Sequence, residues 1–148
     1  MFDVGEEIPD DSKAVISGWG GTESGLRLSS ILLQVEVPVV KKEECNAIYS
    51  HTIPQLREDE ICAGLYQSCG EQPCPGGQFF GDCGGPVTVG CRLAGIVSWS
   101  KKQPGLPGVH AEVAYHRKWI DEKTEFETMY NNEATDCSLS GCLPFLKI

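Results

Sequence analysis

Short apolar runs punctuated by glycine and proline fill most of the chain, and helical spacing takes over only near its end. Ala14-Val15-Ile16-Ser17 is a β-prone run closed by Gly18-Trp19-Gly20-Gly21. Leu32 to Val40 alternates in part, with Leu33, Val35 and Val37 set against Gln34 and Glu36, and predicts a second strand. Lys41 to Ile48 predicts a helical turn. Ile61-Cys62-Ala63, Pro86-Val87-Thr88-Val89, Leu93 to Ser98 and Val109 to Val113 add further short β runs. From Ala114 to about Tyr130 the spacing becomes helical, placing Tyr115, Trp119, Ile120, Lys123, Phe126 and Tyr130 near one face. This pattern predicts an all-β fold, a six-stranded antiparallel barrel with a C-terminal α-helix packed on its outside. Residues 1–13, acidic and carrying Pro9-Asp10-Asp11, read as a connecting arm ahead of the barrel and helix of residues 14–130. Residues 131–148, with Cys137 and Cys142, read as a cysteine-containing tail.

Composition narrows the partners more than the fold. With 148 residues, the chain has room for about one ordinary domain. Its 12 basic and 21 acidic side chains give a formal charge of -9, the wrong sign for holding a phosphate backbone, so no nucleic acid partner is expected. The longest aliphatic stretch, Ile31-Leu32-Leu33, falls far short of the roughly 20 residues a transmembrane helix needs, so no membrane partner is expected. Eight cysteines point to an oxidising, extracellular compartment. Met1-Phe2-Asp3-Val4-Gly5-Glu6-Glu7 has neither the basic nor the apolar region of a secretion signal, and a fragment or an incomplete gene product would reconcile the two observations.

The chemistry concentrates in Gly81-Asp82-Cys83-Gly84-Gly85-Pro86, where three glycines surround one reactive side chain and describe a tight turn with its thiol at the tip. This motif resembles the Gly-Asp-Ser-Gly-Gly-Pro of the trypsin-like, chymotrypsin-fold serine endopeptidases, with Cys83 standing where the nucleophilic serine belongs. Ile16-Ser17-Gly18-Trp19-Gly20, Ile61-Cys62-Ala63-Gly64, Gly95-Ile96-Val97-Ser98-Trp99, Pro107-Gly108-Val109 and Trp119-Ile120 follow in the order that family has them. The resemblance runs from about Ala14 to Ile120 and implies the second of the family's two barrels with its terminal helix.

The same resemblance implies a deficit, because the family's general-base histidine and orienting aspartate come from the first barrel, which has no counterpart here. It implies an oxyanion loop of Gly81, Asp82 and Cys83, whose N–H donors at Gly81 and Cys83 are held in shape when the aspartate pairs with a newly cut amino terminus. No Ile-Val-Gly-Gly-like segment supplies that terminus. An unpartnered buried carboxylate is costly, so Asp82 is expected to turn away or go to solvent and the loop to relax. A thiol is an intrinsically good nucleophile but still needs a base. Among the histidines, His51 and His116 read as solvated side chains, and His110 reads as pocket lining ahead of catalytic base.

The specificity pocket implied by the family falls on Gly77, Ser98, Trp99, Ser100 and Gly108. No carboxylate stands near Gly77 to receive Lys or Arg, so cleavage after basic residues is not expected. A Cys45–Cys62 disulfide is likewise implied. The remaining Cys69, Cys74, Cys83, Cys91, Cys137 and Cys142 allow several pairings. Local Cys69–Cys74 and Cys137–Cys142 loops are preferred over a zinc site, and Cys83 and Cys91 either pair or stay free. No metal and no cofactor are expected. The function expected is that of a truncated, catalytically inactive pseudoprotease acting on a protein or peptide ligand, which would be a protease, an inhibitor or a substrate. The alternative is a fragment of an active serine-type or cysteine-nucleophile endopeptidase whose first barrel lies upstream. A second barrel on its own would expose an apolar inter-barrel face suited to self-association.

Overall fold

Alternate residues of the first two strands point into one core, and this sets the architecture. The computed structural model describes residues 1–21, 28–51, 55–66, 81–101 and 105–124, together with a short strand at 146–147. β1 (Lys13–Gly18) buries Ala14 and Ile16, and β2 (Leu33–Val40) buries Val37 and Val39. The two strands pair antiparallel with Ala14 opposite Val37 and Ile16 opposite Val35. Their inward faces meet Ala63, Val87 and Val97 from three other strands in one apolar cluster.

Those three strands are β3 (Glu60–Ala63), β4 (Pro86–Val89) and β5 (Arg92–Trp99), joined by β6 (Gly108–Glu112). The order β1-β4-β5-β6-β3-β2 returns to β1, giving a closed six-stranded antiparallel barrel as the alternation predicts. Closure pairs each barrel strand on both sides and removes the exposed edges of an open sheet. β7 (Leu146–Lys147) lies parallel to the start of β2, Leu33 opposite Leu146. The reading of 131–148 as a tail assigned no strand there, since two residues are too few to show a period.

Helix α1 (Lys42–Tyr49) follows β2 and is tied to β3 by the Cys45–Cys62 disulfide that the resemblance implies. Helix α2 (Val113–Thr124) follows β6 and packs on the barrel, though not by the face that the spacing suggests. Val113 and Ala114 are buried, whereas Tyr115 and Trp119 point outward at 55% and 61% exposure. The reason lies in the arm. Phe2 is buried against Ala94 and Ala114 and fills the seam between barrel and helix, so small residues of α2 face inward. Arg92 lies over the Phe2 ring at 4.3 Å, and Arg117 of α2 donates to the Phe2 carbonyl and to Asp3. The arm is therefore anchored at Phe2 and, through Arg92, at the Met1 carbonyl and the Glu6 carboxylate. Phe126 and Tyr130, assigned to the same helix from the sequence, lie outside the described residues.

Candidate active site

The turn between Gly81 and Gly85 is built by glycine geometry. Gly81 has φ 106° and Gly84 has φ 85°, backbone that a side chain rarely adopts. Gly84 N–H donates to the Val97 carbonyl at 2.8 Å, Val97 N–H donates to the Gly85 carbonyl at 2.9 Å, and Gly85 N–H closes the turn on the Asp82 carbonyl at 2.9 Å. The tip is thereby stapled to β5, with Cys83 exposed on it.

The Cys83 thiol donates to the Ser98 carbonyl at 3.4 Å. This contact brings the motif and the expected pocket wall together. β5 and β6 are out of register between Val97 and Trp99, so Ser98 bulges from the ladder while Trp99 returns opposite Val109. Gly108, the next residue along β6, is buried beside that pairing. Ser98 is exposed and Trp99 and Ser100 are half-buried. Gly77, the expected floor of the pocket, lies outside the described residues, as do Cys69, Cys74, Cys137 and Cys142.

Asp82 departs from its expectation. It does not turn to solvent: it is half-buried, and its Oδ1 accepts the Gly20 N–H at 2.7 Å. Gly18 and Gly20 make this possible, because a Cβ on either would fall 2.0 to 2.4 Å from a carboxylate oxygen. Burial pushes the Asp82 carboxyl above its ordinary value of 3.8, partly offset by the Gly20 hydrogen bond. A backbone donor thus satisfies the group in place of the ammonium that the resemblance implies.

No hydrogen bond joins Cys83 to a histidine among the described residues. His110 is fully buried in β6 and neither ring nitrogen has a hydrogen-bond partner. Burial drives its pKa down from 6.5 to about 4. His116 points its Nε2 at Asp59, 3.2 Å away, on another side of α2, and His51 is exposed just after α1. Cys83 and Cys91 are not joined either. They flank opposite ends of β4, roughly 13 Å of extended chain, well beyond a disulfide's reach. Among the described residues no cluster of His, Cys, Asp and Glu is arranged to hold a metal ion.

Two residues that the sequence did not single out stand behind the pocket wall. Glu60 opens β3 at 6% exposure and accepts the Trp99 indole N–H at 3.1 Å. Tyr49 closes α1, is fully buried, and sets its ring edge-on to Trp99 with centroids 5.3 Å apart. A signal for Glu60 was available: with Cys62 it occupies the inward register of a period-two run, where a charge is out of place.

Comparison with known proteins places this geometry. The family profile described as Trypsin matches residues 3–120. Trypsin eta of Drosophila melanogaster is 43% identical over 110 residues, covering 73% of this chain and 39% of its own length. The vitellin-degrading protease of Bombyx mori is 36% identical over 124 residues, covering 82% of this chain and 44% of its own. The chain thus spans less than half the length of these curated relatives. Among solved structures, the scabies mite inactivated protease paralogue S-D1 superposes with a TM-score of 0.71 at 23% identity, over 84% of this chain and 52% of that one. A mutant of human heparin binding protein gives a TM-score of 0.64 at 25% identity, over 82% of this chain and 48% of that one.

Proposed function

The chain belongs to the trypsin family, and from that premise we propose that it is a secreted, catalytically inactive member whose role is to bind a protein or peptide rather than to cleave one. Cys83 takes the place of the family's serine in this reading, and residues 14–130 form the second-barrel portion between an arm and a tail. The observation that carries it is the environment of the Cys83 sulfur. The thiol donates to a main-chain carbonyl, and no histidine among the described residues is hydrogen-bonded to it. A nucleophile with no base to take its proton loses the main route to acyl transfer. One fold neighbour is itself described as an inactivated protease paralogue, which supports the reading by analogy. Another is a heparin binding protein, but the charge of -9 on this chain argues against a polyanionic ligand. The Cys45–Cys62 disulfide and the eight cysteines, which suit an oxidising environment, support the secreted part of this reading. Self-association through the face that a first barrel would cover belongs to the same reading.

The test is hydrolysis of a fluorogenic peptide library by the full chain and by Cys83→Ala. The expected result is cleavage indistinguishable from buffer for both. Turnover by the parent that disappears in Cys83→Ala would falsify the proposal.

A second reading is favoured by length alone. Because the chain covers 39% of the Drosophila trypsin and 44% of the Bombyx protease, it also fits as part of an active endopeptidase whose other half is encoded upstream. Transcript sequence ahead of Met1 that encodes a Thr-Ala-Ala-His-Cys-like segment decides for that reading.

A further inference from the structure

Glu60 is the one buried acidic side chain among the described residues, and one of its contacts reaches Trp99 of the expected pocket wall. Its Oε2 accepts the Arg57 backbone N–H at 2.9 Å, and the Arg57 guanidinium lies 3.6 Å from Oε1. The same Oε1 accepts the Trp99 indole N–H at 3.1 Å. A carboxylate with these partners is anchored from its own turn and has one oxygen left to grip the indole, which suits the heavy cost of burying it unpaired. Tyr49 holds the ring from a second element, and its hydroxyl donates to the Pro107 carbonyl next to Gly108. Trp99 in turn follows Ser98, the bulged residue that the Cys83 thiol touches.

We propose that Glu60 is a specificity-determining positioning residue: it fixes the Trp99 indole from inside the barrel, and so sets the aromatic wall against which an apolar side chain of an extended peptide lies beside Cys83. The proposal rests on the peptide-binding reading above. It deepens that reading by assigning the shape of the cleft to a residue that does not touch the ligand. An indole held at its N–H and against the Tyr49 ring loses little freedom when a peptide packs on it, and this preorganisation strengthens binding.

The test uses the full chain with Trp19→Phe and Trp119→Phe, both exposed positions, so that Trp99 is the sole indole of the three. Into this parent go Glu60→Gln, whose one amide oxygen can still accept the indole N–H at the expense of the Arg57 N–H, and Glu60→Leu, which removes both acceptors. The first readout is Trp99 emission and its quenching by acrylamide. Glu60→Gln, which retains the indole contact, is expected to stay close to the parent, and Glu60→Leu to shift to the red and quench several-fold more. The second readout is the rate at which Cys83 is alkylated by an iodoacetamide carrying a short leucine-rich peptide, relative to iodoacetamide alone, with the labelled site assigned by mass mapping. The parent and Glu60→Gln are expected to show a peptide-dependent acceleration of about tenfold, equivalent to about 1.4 kcal/mol. Glu60→Leu is expected to lose most of it. Trp99→Phe, which leaves Glu60 nothing to grip, is expected to lose it as well and serves if Glu60→Leu does not fold. Unchanged emission and unchanged acceleration in Glu60→Leu, or full acceleration in Trp99→Phe, overturns the role of Glu60 alone. A parent with no peptide-dependent acceleration overturns the peptide-binding reading, and the specificity role with it.

Discussion

The Asp82 carboxylate rests on the backbone of Gly20, its Oδ1 accepting that residue's N–H at 2.7 Å. The pairing ties the turn that carries Cys83 to the segment just after β1, 62 residues away in sequence. It exists because two side chains are missing at Gly18 and Gly20, and it defines how the site answers to substitution and to pH.

Gly20→Ala should break this contact. The added Cβ would sit 2.4 Å from Oδ2 and 2.5 Å from Cγ, so the carboxylate has to move off its donor. Overpacking of this kind costs about 1–3 kcal/mol, to be read as a lower urea midpoint with an unchanged m-value. A midpoint equal to that of the parent would show that the loop accommodates the methyl group freely.

Asp82→Asn isolates the charge. A carboxyl whose folded pKa lies above 3.8 holds its proton more tightly folded than unfolded. Its contribution to stability is complete below 3.8 and is lost as pH rises through the folded value. The amide still offers Gly20 an oxygen without paying for a buried charge. The variant should therefore melt higher than the parent at pH 7, with the difference closing below pH ~4.

His110 has the opposite sign. With a folded pKa of about 4 against 6.5, it must stay neutral, so its contribution is full above 6.5 and lost as pH falls toward and through 4. The loss is on the order of 3 kcal/mol, and His110→Leu, similar in bulk but without a titrating group, should abolish it. Urea titrations at pH 7.5 and 4.5 measure this. Parent and variant that weaken equally on acidification would assign the acid sensitivity to other groups.

Phe2→Ala tests the arm. The ring is 5% exposed, lies under Arg92 and fills the seam beside α2. Truncating a buried aromatic costs about 3–5 kcal/mol, and amide exchange of α2 should accelerate along with the fall in overall stability. A change below about 0.5 kcal/mol would mean that the arm only decorates the barrel.

The barrel was legible in the sequence because its strands alternate. Ala14 with Ile16 and Val37 with Val39 are the period-two pairs that became its core, and the Gly and Pro punctuation marked the turns between strands. The helix was legible as a helix but not by face. Tyr115 and Trp119 match an amphipathic pattern, yet the seam was already filled by Phe2, a long-range contact that no local window reports. At the site, the glycine-rich turn followed from the motif and the disulfide from the resemblance. Asp82 did not follow, since its satisfaction depends on a backbone donor 62 residues away. Glu60 showed only as a charge at an inward register, and its partner indole lies 39 residues downstream.

The ladder that closes the ring of six strands does not run through the turn at Gly81 to Gly85, which joins β5 by the bonds of Gly84 and Gly85 to Val97. A lineage that alters the tip of such a turn can change what the molecule does to its ligands while the scaffold goes on folding. In this architecture the side chain at the tip can be exchanged while the strand ladder that presents it is kept.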